Sequence, residues 1–336
     1  MNIERKKRGN KFLYIKNGTI IKDKKTLERI LKLVIPPAWK NVLITSNKND
    51  KVQCIGIDDK GRKQYKYNTD FIEEQTTKKY YDSLLKFGKK INIIRNDILN
   101  ILNKRHWTLD KTIAFIILIL DNCYLRIGNE KYKDDNDSYG ITTLQKRHII
   151  IKTNCVSFNF IGKKGVENNC IFKDKYIINL FKSLYKEFKH KDDDTFFKYY
   201  NSKNEIYNIN SSHINDFLKT YGNFSAKNFR TLYANENIIK YLLENTKQFK
   251  TDELNNLSER KCNIIVNNCI DLISDKLNNT RAICKKSYIC NDILDDFKEH
   301  REDFINKLKL LGKSKLKNCN KYETILLKLL KIYKKD

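Results

Sequence analysis

The hydrophobic pattern changes period near residue 75, and that change limits what the chain can fold into. Before it, short segments rich in β-branched and aromatic residues are separated by turn dipeptides at Asn17-Gly18 and Lys60-Gly61. These segments are Lys11-Phe-Leu-Tyr-Ile15, Val42-Leu-Ile-Thr45, Val52-Gln-Cys-Ile-Gly56 and Gln64-Tyr-Lys-Tyr67. One short helix is expected among them, from Leu27 to Val34, stopped by Pro36-Pro37. From about Thr76 onward, Tyr80–Phe87 and Ile91–Leu99 carry apolar residues at three- and four-residue spacing, which is the helical period. The expected class is α+β: a small β-rich domain over residues 1–75, then a mainly α-helical domain over 76–336.

The second domain is not expected to be helical throughout. A buried helix over Thr108–Ile127 should deliver Arg126 near its end. Strand-forming runs follow at Ile141–Leu144, His148–Ile151 and Val156–Phe160, and Gly162-Lys-Lys-Gly165 has the composition of a hairpin turn. Helices are then expected over Tyr176–Phe188, Ser212–Tyr221, Ser225–Leu243, Leu254–Lys276 and Lys286–Phe297, with Ser212 and Ser225 as N-caps. Asp192–Asp194 and Asn201–Asn210 read as exposed loops, and Tyr322–Tyr333 as a basic amphipathic lid packed on the helical domain.

Charge points to the partner. The chain has 67 Lys and Arg against 40 Asp and Glu, a net charge of +27 spread along its length. An excess of this size opposes compaction and favours a polyanion, and nucleic acid is the expected partner. AT-rich coding would account for the Lys and Asn content and for only two prolines, but not for the deficit of acids. The nine cysteines form no CxxC pair and no Cys/His cluster, so they read as reduced thiols in an intracellular protein. The longest apolar run, Ile113–Leu120, is too short to span a bilayer, and no secretory signal precedes residue 30. No membrane partner is expected.

A tyrosine hydroxyl can attack a phosphodiester if nearby cations absorb the charge that develops on the phosphorus oxygens. Arg126 lies in Leu-Arg-Ile-Gly, Lys163 lies at the hairpin tip, and Arg230 follows Lys227 by three residues on one helical face. Tyr288 follows Lys285-Lys286. Taken singly, each is an ordinary surface residue, a solvated helix-end arginine or a turn lysine.

Their order and contexts carry more. Seven segments resemble the type IB DNA topoisomerases of the small poxvirus-like and bacterial-like kind. They are Ile35-Pro-Pro-Ala-Trp39, Gly61-Arg-Lys-Gln-Tyr-Lys-Tyr67, Leu125-Arg-Ile-Gly-Asn-Glu-Lys-Tyr132, Tyr139-Gly-Ile-Thr-Thr-Leu144, Phe160-Ile-Gly-Lys-Lys-Gly165, Lys227-Asn-Phe-Arg-Thr231 and Leu277–Tyr288. The resemblance implies a catalytic domain of the tyrosine recombinase/topoisomerase IB type. It also implies relaxation of supercoils through a 3′-phosphotyrosyl intermediate on Tyr288, followed by rotation and religation. Arg126 and Arg230 would stabilise the pentacoordinate phosphorus, and Lys163 would be the general acid. Asn279 takes the place of a histidine found nine residues before the tyrosine in poxvirus members, and Asn278 takes the place of a glycine. Gln64, Tyr65 and Tyr67 would face the major groove, while Lys131, Tyr132 and Lys227 would contact phosphate. No cofactor, metal or ATP is implied, and a monomer is expected. The alternatives are a site-specific tyrosine recombinase, disfavoured by Lys227 where His-x-x-Arg is usual, and a non-catalytic basic DNA-packaging protein.

Overall fold

The computed structural model describes the chain except at Met1, Asn10, Lys60, Arg62, Lys131, Tyr132, residues 134–136, Lys335 and Asp336. It also leaves out the side chains of residues 69–81, Lys164, Thr251 and Asp252. Two compact units form, Met1–Tyr80 and Tyr81–Asp336.

In the first unit β1 (Ile3–Arg8), β2 (Lys11–Lys16), β3 (Thr19–Ile20), β4 (Lys40–Ile44), β5 (Val52–Ile57) and β6 (Lys63–Tyr67) make an antiparallel sheet. Its strand order is β3-β2-β1-β4-β5-β6. Strand β1 was not expected, because only Ile3 of Ile-Glu-Arg-Lys-Lys-Arg is fully buried and no apolar alternation marks it. Helix α1 (Lys24–Lys32) starts ahead of the expected Leu27, where the Asp23 carboxylate accepts from Thr26 N–H at 2.8 Å. Ile30 of α1 closes a core with Ile3, Val42, Ile44 and Cys54. Two features explain the Pro-Pro-Ala-Trp segment. The Arg5 guanidinium donates to the carbonyls of Pro36 and Trp39 at 3.1 and 2.6 Å, and Gly56 lets Trp39 lie against β5, where an added Cβ would sit 2.7 Å from the ring.

The second unit follows. Helix α2 (Thr69–Leu102) joins the two expected helical segments, and α3 (Leu109–Cys123), capped by Thr108, is buried along most of its length. It ends earlier than expected. Tyr124 turns left-handed at φ 55°, so Arg126 lies beyond the helix, outside regular secondary structure. The strand expected at Ile141–Leu144 is instead a single 3₁₀ turn, Ile141–Thr143. Its N–H groups are already committed, with Ile141 and Thr142 donating to Arg126 O and Ile127 O at 2.9 Å.

Strands β7 (Ile149–Ile151), β8 (Val156–Ile161) and β9 (Glu167–Phe172) form a small antiparallel sheet. Phe158 and Phe172 meet Phe181 of α4 (Lys175–Phe188) at ring distances of 5.4 and 5.9 Å. A two-stranded ribbon, β10 (Lys198–Tyr200) with β11 (Ile206–Asn208), occupies part of the stretch expected as loop.

The remaining helices are α5 (Ser211–Lys219), α6 (Lys227–Asn245), α7 (Thr251–Asn255), α8 (Glu259–Lys276), α9 (Arg281–Tyr288), α10 (Asn291–Glu299), α11 (Arg301–Leu311) and α12 (Lys321–Tyr333). Asn210 caps α5 in place of Ser212, and no side chain caps α6, whose Ser225 bonds Asn228 instead. Two single-helix expectations break in two. Ser258 caps a fresh start at α8, and extended chain at Ile289 separates α9 from α10. Helix α12 packs on α6 with Ile325–Leu327, Leu329 and Leu330 buried, as the lid reading expected.

The thiol expectation is corrected at one pair. Cys123, at the end of α3, is joined by a disulfide to Cys170 in β9, with Cα atoms 6.1 Å apart. Their separation of 47 residues gave no sign of it. Among the described residues no helix is long and apolar enough to cross a membrane.

Candidate active site

The described residues singled out in the second unit line two clefts, and four of them are shared. Arg126, Lys163, Lys227 and Tyr288 border both of two clefts of about 340 and 600 Å³. Arg230 lines the smaller, and Asn278 and Asn279 line the larger.

Tyr288 is the last residue of α9, which starts at Thr280, whose hydroxyl caps Ile283 N–H. Only 8% of Tyr288 is exposed. Its phenol oxygen accepts from Arg230 Nε–H at 3.1 Å. Arg230 is in the first turns of α6 and is itself 4% exposed, so its position is fixed by contacts. Nη1 donates to Tyr124 O, and Nη2 donates to Leu277 O at 2.6 Å. Lys227, at the start of α6, places Nζ 5.5 Å from the Tyr288 ring centroid.

These cations set the acidity of the Tyr288 phenol. Burial alone would raise the Tyr288 phenol, but Arg230 through charge and hydrogen bond, then Arg126 and Lys227, outweigh it and hold the phenol below the ordinary tyrosine value. Arg126 moves the same way for a different reason. Burial and the neighbouring Arg230 charge both disfavour its cationic form, against the attraction of Tyr288.

Arg126 reaches the cleft because its backbone is pinned on both sides. Gly128 at φ 90° lies so close to Gly140 that a Cβ on Gly140 would stand 2.4 Å from Gly128 Cα. Two separate segments of the resemblance are thus one packed unit. The Arg126 side chain donates to Asn278 O at 3.2 Å and to Asn279 Oδ1. The Asn279 amide N–H groups face Leu277 O at 3.2 Å. Asn278 adopts φ 48°, a left-handed conformation that asparagine tolerates where most residues do not.

Lys163 sits on the tip between β8 and β9, where Gly162 N–H donates to Val166 O at 2.8 Å and Gly165 takes φ 75°. The expected hairpin turn is present. Its side chain is exposed and borders both clefts.

Sequence reading missed Asn235. This fully buried side chain on α6 donates to Tyr288 O at 2.7 Å and accepts from Cys290 N–H at 2.8 Å. It clamps the peptide chain where Tyr288 leaves α9. One signal was available: a polar residue on a helix whose neighbours Leu232, Ala234, Ile238 and Ile239 are all apolar and buried.

In the first unit, strand alternation separates the three residues expected to face the groove. Tyr65 and Tyr67 share the exposed face of β6 with ring centroids 6.2 Å apart, each 42% exposed. Gln64 lies on the opposite face and donates to Asp58 Oδ2 at 2.9 Å. Lys131 and Tyr132 lie outside the described residues.

Comparison with known proteins gives the class. The family described as eukaryotic DNA topoisomerase I, catalytic core, matches residues 68–320, and the family described as bacterial DNA topoisomerase IB, N-terminal domain, matches residues 11–58. The chain belongs to the type IB DNA topoisomerases and is an enzyme of that class. It is 32% identical to DNA topoisomerase 1B of Acanthamoeba polyphaga mimivirus, over 99% of this chain and 96% of that protein. Identity is 23% both to DNA topoisomerase 1 of Rabbit fibroma virus, over 88% and 91% of the two chains, and to DNA topoisomerase 1B of Vaccinia virus (strain Copenhagen), over 73% and 72%.

Proposed function

We propose that the protein relaxes supercoiled DNA by reversible transesterification at Tyr288. The carrying observation is the phenol oxygen held at 3.1 Å by Arg230 Nε in a cleft bordered by Arg126, Lys163 and Lys227. The Tyr288 oxygen attacks the scissile phosphorus, the P–O5′ bond breaks, and a 3′-phosphotyrosyl strand and a 5′-hydroxyl result. The free end rotates, and the 5′-hydroxyl then attacks the phosphotyrosine, restoring the strand and the phenol. Because the covalent bond conserves the phosphodiester's energy, the cycle runs without ATP.

Each side chain has a role in this reading. Arg126 and the spare N–H groups of Arg230 bind the non-bridging oxygens, where charge grows in the transition state. Guanidinium groups at that position make a metal ion unnecessary. Lys163 donates a proton to the departing 5′-oxygen. Asn279 contributes the second N–H of its amide to a phosphate oxygen, while Leu277 O holds the first and Oδ1 orients Arg126. The second unit would have the tyrosine recombinase type of fold and work as a monomer. In the first unit Tyr65 and Tyr67 offer a stacked aromatic face to DNA, and Gln64 would read a base only on release from Asp58. Lys227, Lys131 and Tyr132 would contact phosphate. Binding through so many cations should weaken steeply as salt rises.

The test is a plasmid relaxation assay with chelator and without ATP, together with mass-spectrometric mapping of the DNA-linked peptide. The expected adduct is on Tyr288, and Tyr288→Phe should abolish relaxation while keeping non-covalent DNA binding. Relaxation that persists in Tyr288→Phe would sink the assignment. Strand exchange confined to paired sites would make the protein a recombinase, and DNA binding with no adduct would make it a packaging protein.

A further inference from the structure

We propose that Asn168 and Asn278 form a latch that positions Lys163 for proton donation, coupling the hairpin tip to the loop that holds Arg126. This inference rests on the general-acid reading of Lys163.

Asn168 lies in β9, five residues beyond Lys163, and is 3% exposed. Both ends of its amide are in use. Nδ2 donates to Val166 O at 2.8 Å, closing the neck of the hairpin from inside, and Oδ1 accepts from Asn278 Nδ2 at 2.7 Å. The orientation is dictated chemically. A carbonyl at Val166 can only accept, so the NH₂ must face it, which leaves Oδ1 toward Asn278 and requires Asn278 to donate. Gly162 makes room for this arrangement, since a Cβ there would lie 2.4 Å from Asn168 Nδ2.

The other end of the latch is the active-site loop. Asn278 O accepts from Arg126 at 3.2 Å, and the next residue, Asn279, accepts from the same guanidinium. The chain from hairpin to arginine is therefore continuous: Val166 O, Asn168, Asn278, Arg126. At φ 48° a glycine would serve the turn at Asn278 with less backbone cost. Glycine has no side chain to reach β9. A general acid works only within hydrogen-bond reach of the leaving oxygen, so the placement of the tip matters.

Asn278→Gly is the informative variant, because it keeps the left-handed turn and deletes only the latch. Single-turnover cleavage would be measured on two DNA strands, one ordinary and one with a bridging sulfur replacing the 5′-oxygen at the mapped cleavage site. A thiolate departs without a proton, so the second strand removes the need for the acid.

On ordinary DNA, Asn278→Gly should cleave about 3–10-fold slower, the range expected for one neutral hydrogen bond, and Asn168→Ala at least as much. The double variant should be no slower than Asn168→Ala, and both losses should vanish on the sulfur strand. Lys163→Ala serves as the reference and should recover on the same strand. If Lys163→Ala recovers while Asn278→Gly stays equally slow on both strands, or if Asn278→Gly cleaves ordinary DNA at the wild-type rate, the latch is overturned. If Lys163→Ala itself does not recover, the general-acid reading falls and takes the latch's role with it.

Discussion

Arg230 meets Tyr288 through Nε and not through the tip of its guanidinium: Nε–H donates to the phenol oxygen at 3.1 Å while Nη1 and Nη2 are held by the carbonyls of Tyr124 and Leu277. One planar fork therefore ties the Tyr288 phenol to the end of α3 and to the end of α8. Lysine, a point charge, cannot make three directed contacts of this kind. Arg230→Ala is expected to slow DNA cleavage by ~10²–10³ or more. Arg230→Lys should recover only a small part of that, measured by single-turnover cleavage. A lysine variant near the wild-type rate would show that charge alone suffices.

Asn235 should matter without touching DNA. Its amide spans Tyr288 O and Cys290 N–H, so Asn235→Ala removes two hydrogen bonds to the buried chain and loosens the placement of Tyr288. Small misplacement of a reacting group costs on the order of 10²-fold. The expected result is a fall of about 10–100-fold in cleavage with DNA affinity unchanged. Equal losses of affinity and rate would instead indicate a general folding defect.

Lys227 helps to hold the phenol's pKa down, and removing its charge has a signed consequence. In Lys227→Ala the phenolate loses a stabilising neighbour, so the Tyr288 pKa rises. At any pH below that pKa a smaller fraction is ionised. The limb of the cleavage-rate profile that rises with phenol ionisation should shift to higher pH, with the greatest rate loss below the phenol's pKa. An unshifted profile with a uniform loss would assign Lys227 to DNA binding alone.

Behind the cleft, Glu236 on α6 has its carboxyl enclosed, although part of the residue reaches the surface, and Oε1 has no partner. Burial first, then the nearby Glu323 carboxylate, raise its pKa well above the ordinary carboxylate value. Above that ordinary value the unfolded chain has lost a proton that the folded chain keeps, so stability falls as pH rises toward the folded-state pKa. Glu236→Gln should remove this slope. Urea unfolding at pH 6 and pH 9 would show a smaller pH dependence in the variant, and an unchanged slope would place the titration elsewhere.

The Cys123–Cys170 disulfide closes a separation of 47 residues and joins α3 to β9. Reduction, or Cys123→Ser, should cost about 2–5 kcal/mol of stability. Urea unfolding of the wild type with and without dithiothreitol measures it. The variant should no longer respond to the reductant.

The division of the chain into strand-rich and helical parts was legible because strand and helix periods are local properties of sequence, and Lys11–Lys16, Val52–Ile57, Lys175–Phe188 and Lys321–Tyr333 all carry them plainly. Strand β1 was not legible, because an edge-like run of charged residues becomes a strand only through its neighbours β2 and β4. Helix ends were misplaced for a related reason. Tyr124 and Ile289 interrupt apolar runs that continue in sequence, and the interruption is fixed by where the Arg230 and Asn235 side chains bind the backbone.

The sequence by itself determined the candidate chemistry: a tyrosine, two arginines and a lysine in an order that resembles one enzyme family, on a chain charged for DNA. The tertiary structure alone decided how those groups meet, through the Nε contact to the phenol, the Gly128–Gly140 approach, the Asn235 clamp and the Asn168–Asn278 bridge. Each of these joins residues distant in sequence by directed hydrogen bonds or close backbone approach. Neither is encoded in the local period of a chain, and both exist only once it has closed on itself.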